Sequence, residues 1–419
     1  MSEPNSPSTP RRAALIFIFI TVMLDMLALG VIIPVLPKLV ISFVGGDTAN
    51  GARMFGLMNT VWALMQFICS PIVGALSDRF GRRTVILLSN FGLGLDYILM
   101  ALSPTLGWLF AGRVISGITT ASIPTAFAYI ADVTPTEKRA GAFGMLGAAF
   151  GIGFVLGPAV GGLLGGIHPR LPFWVAAGLS LANALYGLFV LPESLSRDRR
   201  ARFAWRRANP VGSLNLLRSH PELFGLAAAL FLSYLAHESL PSTFVLYADH
   251  RYGWNERTVG LTLAFVGVCS GVVQAGLVGR IVGRIGERQA LLVGLLTGAA
   301  GFAVYGAAAT GALFWLGTPF IALWGISGPA AQGLMTRHVS ASEQGQLQGA
   351  NSSLRSLTGL IGPGLFTLTF ASFISARRDW HLPGAPFLLA ASLLIASLLL
   401  AWHVTRQAQT PATDAGDQS

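Results

Sequence analysis

Apolar residues in this chain neither alternate nor follow a one-sided helical stripe. They come in mainly apolar runs of about twenty, separated by short charged, glycine-bearing or proline-bearing breaks. A helix rises about 1.5 Å per residue, so such a run matches the ~30 Å hydrocarbon core of a bilayer. Runs of this kind lie at 13–36, 54–76, 84–102, 105–130, 140–165 and 171–191. After a gap they resume at 222–247, 258–280, 288–308, 311–335, 346–372 and 382–404. The gap, Pro192 to Pro221, contains "RDRRARFAWRRANP" and cannot lie in hydrocarbon. The pattern predicts an all-α membrane protein of twelve transmembrane helices in two pseudo-symmetric six-helix bundles. The first bundle is 1–191, a basic cytoplasmic linker is 192–221, the second bundle is 222–405, and a disordered cytoplasmic tail is 406–419.

Composition strengthens this picture. Of 419 residues, 53% are apolar and only 11% charged, against roughly 25% charged in soluble domains. The net charge of +10 does not point to nucleic acid, because the arginines sit in short blocks between apolar runs. Those blocks set topology instead. Of the 28 lysines and arginines, nineteen fall on the side shared with the N-terminus and seven on the other, while Arg113 and Arg355 lie inside runs. The positive-inside rule then puts both termini in the cytoplasm. Cys69 and Cys269 lie within apolar runs, so no disulfide framework is expected. The run from Ala13 is too long for a signal peptide and leads into "PVLP" rather than a cleavage site.

An internal repeat divides the chain at the same place. "GALSDRFGRR" (74–83) follows the second run and "GRIVGRIGER" (279–288) follows the eighth, 205 residues later. Gly74, Arg79, Gly81 and Arg83 align with Gly279, Arg284, Gly286 and Arg288. Two repeated halves are the usual build of a secondary transporter, with a binding site near mid-membrane.

"GALSDRFGRR" resembles the major facilitator superfamily signature between helices two and three. "LFAGRVISGITTA" (109–121) is similar to that family's helix-four motif, and "GAAFGIGFVLGPAVGG" (147–162) to the helix-five motif of its antiporters. Within the superfamily the chain looks most like bacterial tetracycline/proton antiporters, through "LDMLALGVIIPVLP", "LMQFICSP", "GLDYILMA", "YIADVTPTEKRAGAFG", "PFWVAA", "LPES", "QGQLQG" and "GLIGPGLF". The resemblance implies the major facilitator fold and a cytoplasmic latch of Gly74, Asp78, Arg79, Gly81, Arg82 and Arg83. In that latch Asp78 caps a neighbouring helix N-terminus and Gly81 permits the tight turn. Two departures bear on substrate. The position of the family's helix-nine aspartate is here Gly298, and that of a helix-eight histidine is Ser270.

Charges inside the runs are the candidate chemistry, since ionisable groups in hydrocarbon are costly and mostly serve function. Asp25 is mid-depth in the first run. The neighbouring of helices one and four implied by the resemblance makes Asp25 and Arg113 an expected switchable pair, proton-free when close and proton-bearing when apart. A permanent pair that only aids insertion is the alternative. Asp96 and Tyr97, in "GLDYILM", are expected near a vestibule, Asp96 as a second proton or cation site and Tyr97 on the substrate. His237 and Glu238 are adjacent and so point about 100° apart. Glu238 is read as a further proton group close to the outer surface, His237 as a cavity residue, and Arg355 in "NSSLRSLTG" as a cation for an acidic substrate group or for Glu238. Asn59, Gln66 and Gln274 are candidate cavity amides. Gly153, Gly157 and Pro158 form a helix-five hinge on a nearly bare face.

No GxxxxGK[ST] loop, zinc-type spacing or G-x-S-x-G elbow occurs in the chain. The reading is a non-enzymatic, proton-coupled exporter of a small amphipathic drug-like compound, acting as a monomer in the bacterial inner membrane. It has no cofactor or bound metal, though its substrate can carry a chelated divalent cation. Its partners are substrate, protons and lipid. Two other readings stay open: a proton-coupled transporter of a sugar or organic acid, and a membrane sensor or scaffold that transports nothing.

Overall fold

The computed structural model describes residues 9–119, 123–135, 138–195, 198, 200, 221–340, 343–375 and 381–407. In chain order the first helices are α1 (Thr9–Ile32), α2 (Leu36–Phe43), α3 (Thr48–Phe80), α4 (Arg82–Leu102), α5 (Leu106–Thr119), α6 (Ile123–Val133), α7 (Arg139–Ile167) and α8 (Leu171–Val190). Then come α9 (Pro221–His237), α10 (Ser239–Tyr252), α11 (Glu256–Val272), a π turn (Val273–Leu277), α12 (Val278–Ala307), α13 (Gly311–Trp324), α14 (Ser327–Thr336), α15 (Gln344–Ile374) and α16 (Ala385–Gln407). Most of the predicted linker and tail lies outside the described residues.

Eleven stretches among the described residues are long and apolar enough to cross a bilayer. One of them, Glu256–Ala307, has 52 residues, more than twice what a bilayer takes. It is interrupted at Gly286, where φ is 78°. Large side chains such as Leu88, Ile167, Phe189 and Leu316 are more than 60% exposed on these helices. Exposed apolar side chains of this size on so many helices suit lipid better than water.

Prolines break several spans that hydropathy alone reads as continuous. Pro241 has no N–H for the His237 carbonyl one turn back; α9 ends at His237 and α10 starts at Ser239. Glu238 therefore sits at a helix break in the middle of the span Leu223–Tyr252, not close to the outer surface as its distance from Asp249 suggests. Pro329 likewise withholds its N–H from the Gly325 carbonyl, and the tenth span parts into α13 and α14. Gln274 Nε2 donates to that freed oxygen at 3.1 Å.

The chain falls into two compact units, residues 1–210 with 253–267, and residues 211–252 with 268–419. The division differs from the predicted one in assigning 253–267 to the first unit. In that unit α1 packs against α7 and α8, and α4 against α5 and α8. Glycines allow the closest approaches. A Cβ on Gly157 would come 2.7 Å from Gly30 Cα, and one on Gly153 would meet Met26 Cβ at 2.5 Å. Gly162 lies against the backbone of Glu256 and Gly260, which is how the start of α11 joins this unit. Lys38 Nζ donates to the Trp254 carbonyl at 2.8 Å and pairs with Glu256 at 3.5 Å. The second unit has an aromatic core in which Tyr305 and Phe314 stack at 3.8 Å and Phe387 packs edge-on to Tyr305.

Candidate functional site

In the first unit the polar groups form two clusters within apolar helices. Asp25, half-buried on α1, accepts from Asn183 Nδ2 of α8 at 2.8 Å. The same nitrogen donates to the Thr21 carbonyl at 2.9 Å. Asn90 of α4 presents one end of its carboxamide to both Asp25 oxygens at 3.1 Å and the other to Asn183 Nδ2 at 3.0 Å. Hydrogen-bond logic puts the Asn90 nitrogen toward the acid, where it donates to both oxygens. Asn90 and Asn183 are fully buried, so the acid's polar partners in the interior are neutral amides.

The second cluster surrounds Arg113. Arg113, 5% exposed on α5, donates from Nη2 to Asn59 Oδ1 at 3.3 Å and lies 5.0 Å from the centre of the Trp62 ring. Asp96, 1% exposed on α4, lies beside Arg113 and Ser116. Gly112 makes room for it, since a Cβ there would come 2.9 Å from Asp96 Oδ1. Among the described residues no ion pair joins Asp25 to Arg113: the acid within electrostatic reach of Arg113 is Asp96, and Asp25 meets amides. The reason is register. Asp96 and Arg113 lie on helices α4 and α5, which pack together, whereas Asp25 faces α8 and the earlier turns of α4. Tyr97 is 1% exposed and lies within electrostatic reach of Asp25, Asp96 and Arg113. Gln66 is half-buried on α3.

At the far end of α3 and α4 the latch residues meet. Arg82 pairs with Asp78 at 2.6 Å and with Asp132 of α6 at 3.2 Å, and donates to Ser77 Oγ at 2.6 Å. Gly81, at φ 103°, makes the turn. The predicted cap is corrected here too: Glu193, not Asp78, accepts from the Arg82 backbone N–H at 2.9 Å at the start of α4. Asp78 is committed to the Arg82 side chain four residues on. Arg83 donates to the Leu188 carbonyl, and Arg79 lies over the Phe80 ring. Gly74 has open space around it. The hinge residues Gly153, Gly157 and Pro158 lie in the continuous helix α7, against α1.

The second unit has its own polar wall. Arg355 of α15 stands over the Tyr234 ring at 4.3 Å, one turn before Glu238. Its charge reaches both His237 and Glu238. The adjacent positions diverge as their 100° separation requires. The His237 ring meets Trp324 at 5.7 Å, while Glu238 lies across Gly362, two turns from Arg355 on α15. Trp324 donates from Nε1 to Ser233 Oγ at 3.2 Å. Its ring also covers Gly298, where a Cβ would meet Trp324 Cγ at 2.6 Å, so any side chain there requires the indole to shift. Gln274 is occupied with the Gly325 carbonyl.

A family model described as Major Facilitator Superfamily matches residues 18–363. The chain belongs to the Major Facilitator Superfamily. This major facilitator is 39% identical over 388 residues to the class C tetracycline resistance protein of Escherichia coli, covering 92% of the chain and 95% of the relative. It is 37% identical to the class B protein of the same organism, over 92% and 95%. It is also 30% identical to Multidrug resistance protein 2 of Bacillus subtilis (strain 168), over 93% and 94%. Among solved structures, a point mutant of the nucleoside transporter NupG matches with a TM-score of 0.76 at 12% identity, over 93% and 99% of the two chains. A bacterial homologue of the human lysosomal transporter Spinster matches at 0.75 and 17%, over 95% and 98%. At such identities the structures show the fold alone. The major facilitator is thus a multi-pass membrane protein and a secondary transporter for a small molecule, not an enzyme.

Sequence reasoning missed Asn90, Asn183, Thr21, Trp62, Tyr234 and Trp324. For the two asparagines a signal was present, a lone carboxamide in an apolar run, the same signal that singled out Asn59. The aromatic residues carry none, because an indole or phenol in an apolar run reads as packing.

Proposed function

We propose that this protein is a proton-coupled exporter of an amphipathic drug-like compound, tetracycline the nearest candidate, working by alternating access. It acts in a bacterial inner membrane with both termini in the cytoplasm. The observation that carries the reading is Asp25: an acid within an apolar helix, reached by two buried carboxamides, in a chain 39% identical to a tetracycline resistance protein. Such a group binds and releases a proton without a permanent counter-ion. Moving one charge through 100 mV supplies about 2.3 kcal/mol, enough to raise a substrate gradient more than tenfold. Asp96 beside Arg113 serves as the second acid, and Arg355, Tyr234 and His237 offer a cationic and aromatic wall to a substrate, with a divalent cation travelling on the substrate where it chelates one. Glu238 at the helix break serves as an acid of the second unit, where Gly298 stands at the position of the family's helix-nine aspartate.

The test is uptake of labelled tetracycline with Mg²⁺ into proteoliposomes under an imposed pH gradient. The wild type accumulates tetracycline uphill and Asp25→Asn does not, while both exchange it downhill. Undiminished uphill transport by Asp25→Asn refutes the coupling role. A second reading, transport of an acidic metabolite, is favoured by the exposed Arg355 over Tyr234. Proton flux induced by organic acids but not by tetracycline would select it.

A further inference from the structure

Asp25 is met by two side chains that are uncharged, buried and able both to donate and to accept. A carboxylate needs donors, and a protonated acid needs an acceptor for its own O–H. The carboxamides of Asn90 and Asn183 are the side chains that can change from one role to the other by turning over. Asn183 donates at 2.8 Å to one oxygen, and with the Asn90 carboxamide oriented by hydrogen-bond logic its nitrogen donates at 3.1 Å to both while its oxygen accepts from Asn183 at 3.0 Å. The acceptors on the same side chains and their neighbours are not all in use. Asn183 Oδ1 and Thr21 Oγ1 are buried with no hydrogen-bond partner, on residues 0% and 1% exposed. A buried acceptor left empty is destabilising, so its presence beside a group that gains an O–H calls for a reason.

We infer that Asn90 and Asn183 are a reversible carboxamide cradle that sets the proton affinity of Asp25, donating to the carboxylate and turning an oxygen toward it when it carries a proton. They are positioning residues for the proton step, so the inference rests on Asp25 being a proton site. No bond other than that of the transferred proton changes. On protonation an Asp25 oxygen gains the hydrogen, the Asn90 carboxamide turns over, and its oxygen accepts the new O–H. Asn183 then meets the reversed Asn90 with its spare oxygen, which accepts the Asn90 N–H.

Among the described residues no charged side chain forms an ion pair or hydrogen bond with Asp25, whose polar partners are the two carboxamides. Charged and titratable groups stand on the surrounding helices. On α4 they are Asp96 and Tyr97, with Arg82 and Arg83 at its start, and on α5 Arg113. On α6 they are Tyr129, whose hydroxyl donates to the Pro192 carbonyl, and Asp132, paired with Arg82. On α8 the group is Tyr186, packed on Phe17, and on α7 it is Arg139, bonded to the Ala131 and Thr134 carbonyls.

The experiment is a pH titration of the purified protein in lipid nanodiscs, followed by infrared difference spectroscopy, which needs no transport. The carboxylic acid band of Asp25 is identified by its loss in Asp25→Asn. Asn90→Leu and Asn183→Leu remove donors to the ionised form, so each holds the proton more tightly, and the midpoint rises by about one pH unit, a tenfold change in affinity. Asn183→Gln restores part of the shift. An unmoved midpoint in both leucine variants, each melting as a folded protein, overturns the inference. The wild type with isotopically labelled asparagine gives a second arm that needs no variant. An amide band shifting with the Asp25 midpoint supports the cradle, and asparagine bands silent through that midpoint overturn it. Absence of any Asp25 band at all pH values instead refutes the proton role proposed above.

Discussion

Three kinds of side chain hold charge inside these helices, and each fixes a different consequence. Asp25 has amides, Asp96 has a guanidinium beside it, and Arg355 has an aromatic face. The Asp96–Arg113 site is the one where removing a single partner strands a charge in the interior. That commonly costs about 3–5 kcal/mol, whereas replacing both partners can be nearly neutral. Arg113→Gln and Asp96→Asn are therefore each expected to lower the melting temperature in detergent, and the double variant to regain a good part of the loss. Additive losses would mean that the two groups do not interact. Gly112 makes the same point by shape. Gly112→Val puts methyl groups where Asp96 Oδ1 and Met100 already lie. Overpacking of this kind costs about 1–3 kcal/mol, while Gly141→Val on α7, with nothing within 4 Å of a Cβ, leaves the melt in place.

Helices in this chain are legible from their apolar runs, but where they break is legible only in part. The repeat locates one kind of break. Gly81 and Gly286, matched by spacing alone, both adopt positive φ, 103° and 78°, because the same tight turn recurs in each half and glycine enters that region without a Cβ clash. Pro241 and Pro329 make the other breaks, and a hydropathy window passes over both, since one proline scarcely changes the mean of twenty residues. For the same reason the sequence places Glu238 near a surface although the chain folds it to mid-span. Partner choice is the least legible. Which acid faces Arg113 depends on the register between α4 and α5, a property of two helices that no single run encodes. The bare face of α7 is readable from its glycines, and its test is steric. Gly157→Leu would force α7 off Gly30 of α1, where a Cβ already comes within 2.7 Å. It should abolish transport while the protein still inserts, whereas Gly166→Leu, in open space near the end of α7, should transport normally.

For the molecule as a whole the deciding quantity is the number of crossings, because it sets which loops face which side. Up to Tyr252 the described spans number seven, and everything after depends on whether Glu256–Ala307 passes through the membrane once or twice. Its 52 residues would extend about 78 Å as one straight helix, and the positive φ at Gly286 supplies the turn. The basic residues Arg280, Arg284 and Arg288 cluster around that turn, as the positive-inside rule asks of a cytoplasmic loop. Two crossings place Ala309 opposite the N-terminus, and one crossing places it on the same side. With Cys69 and Cys269 replaced by serine, Ser2→Cys and Gln418→Cys are expected to react with an impermeant thiol reagent only after the cells are opened. Ala309→Cys, exposed in the loop before α13, is expected to react in intact cells. Labelling of Ala309→Cys only in opened cells, alongside Ser2→Cys, would mean that the long stretch crosses once and that the matched glycine turns are not equivalent. Labelling of the termini in intact cells would instead invert the whole protein and with it the direction assigned to transport.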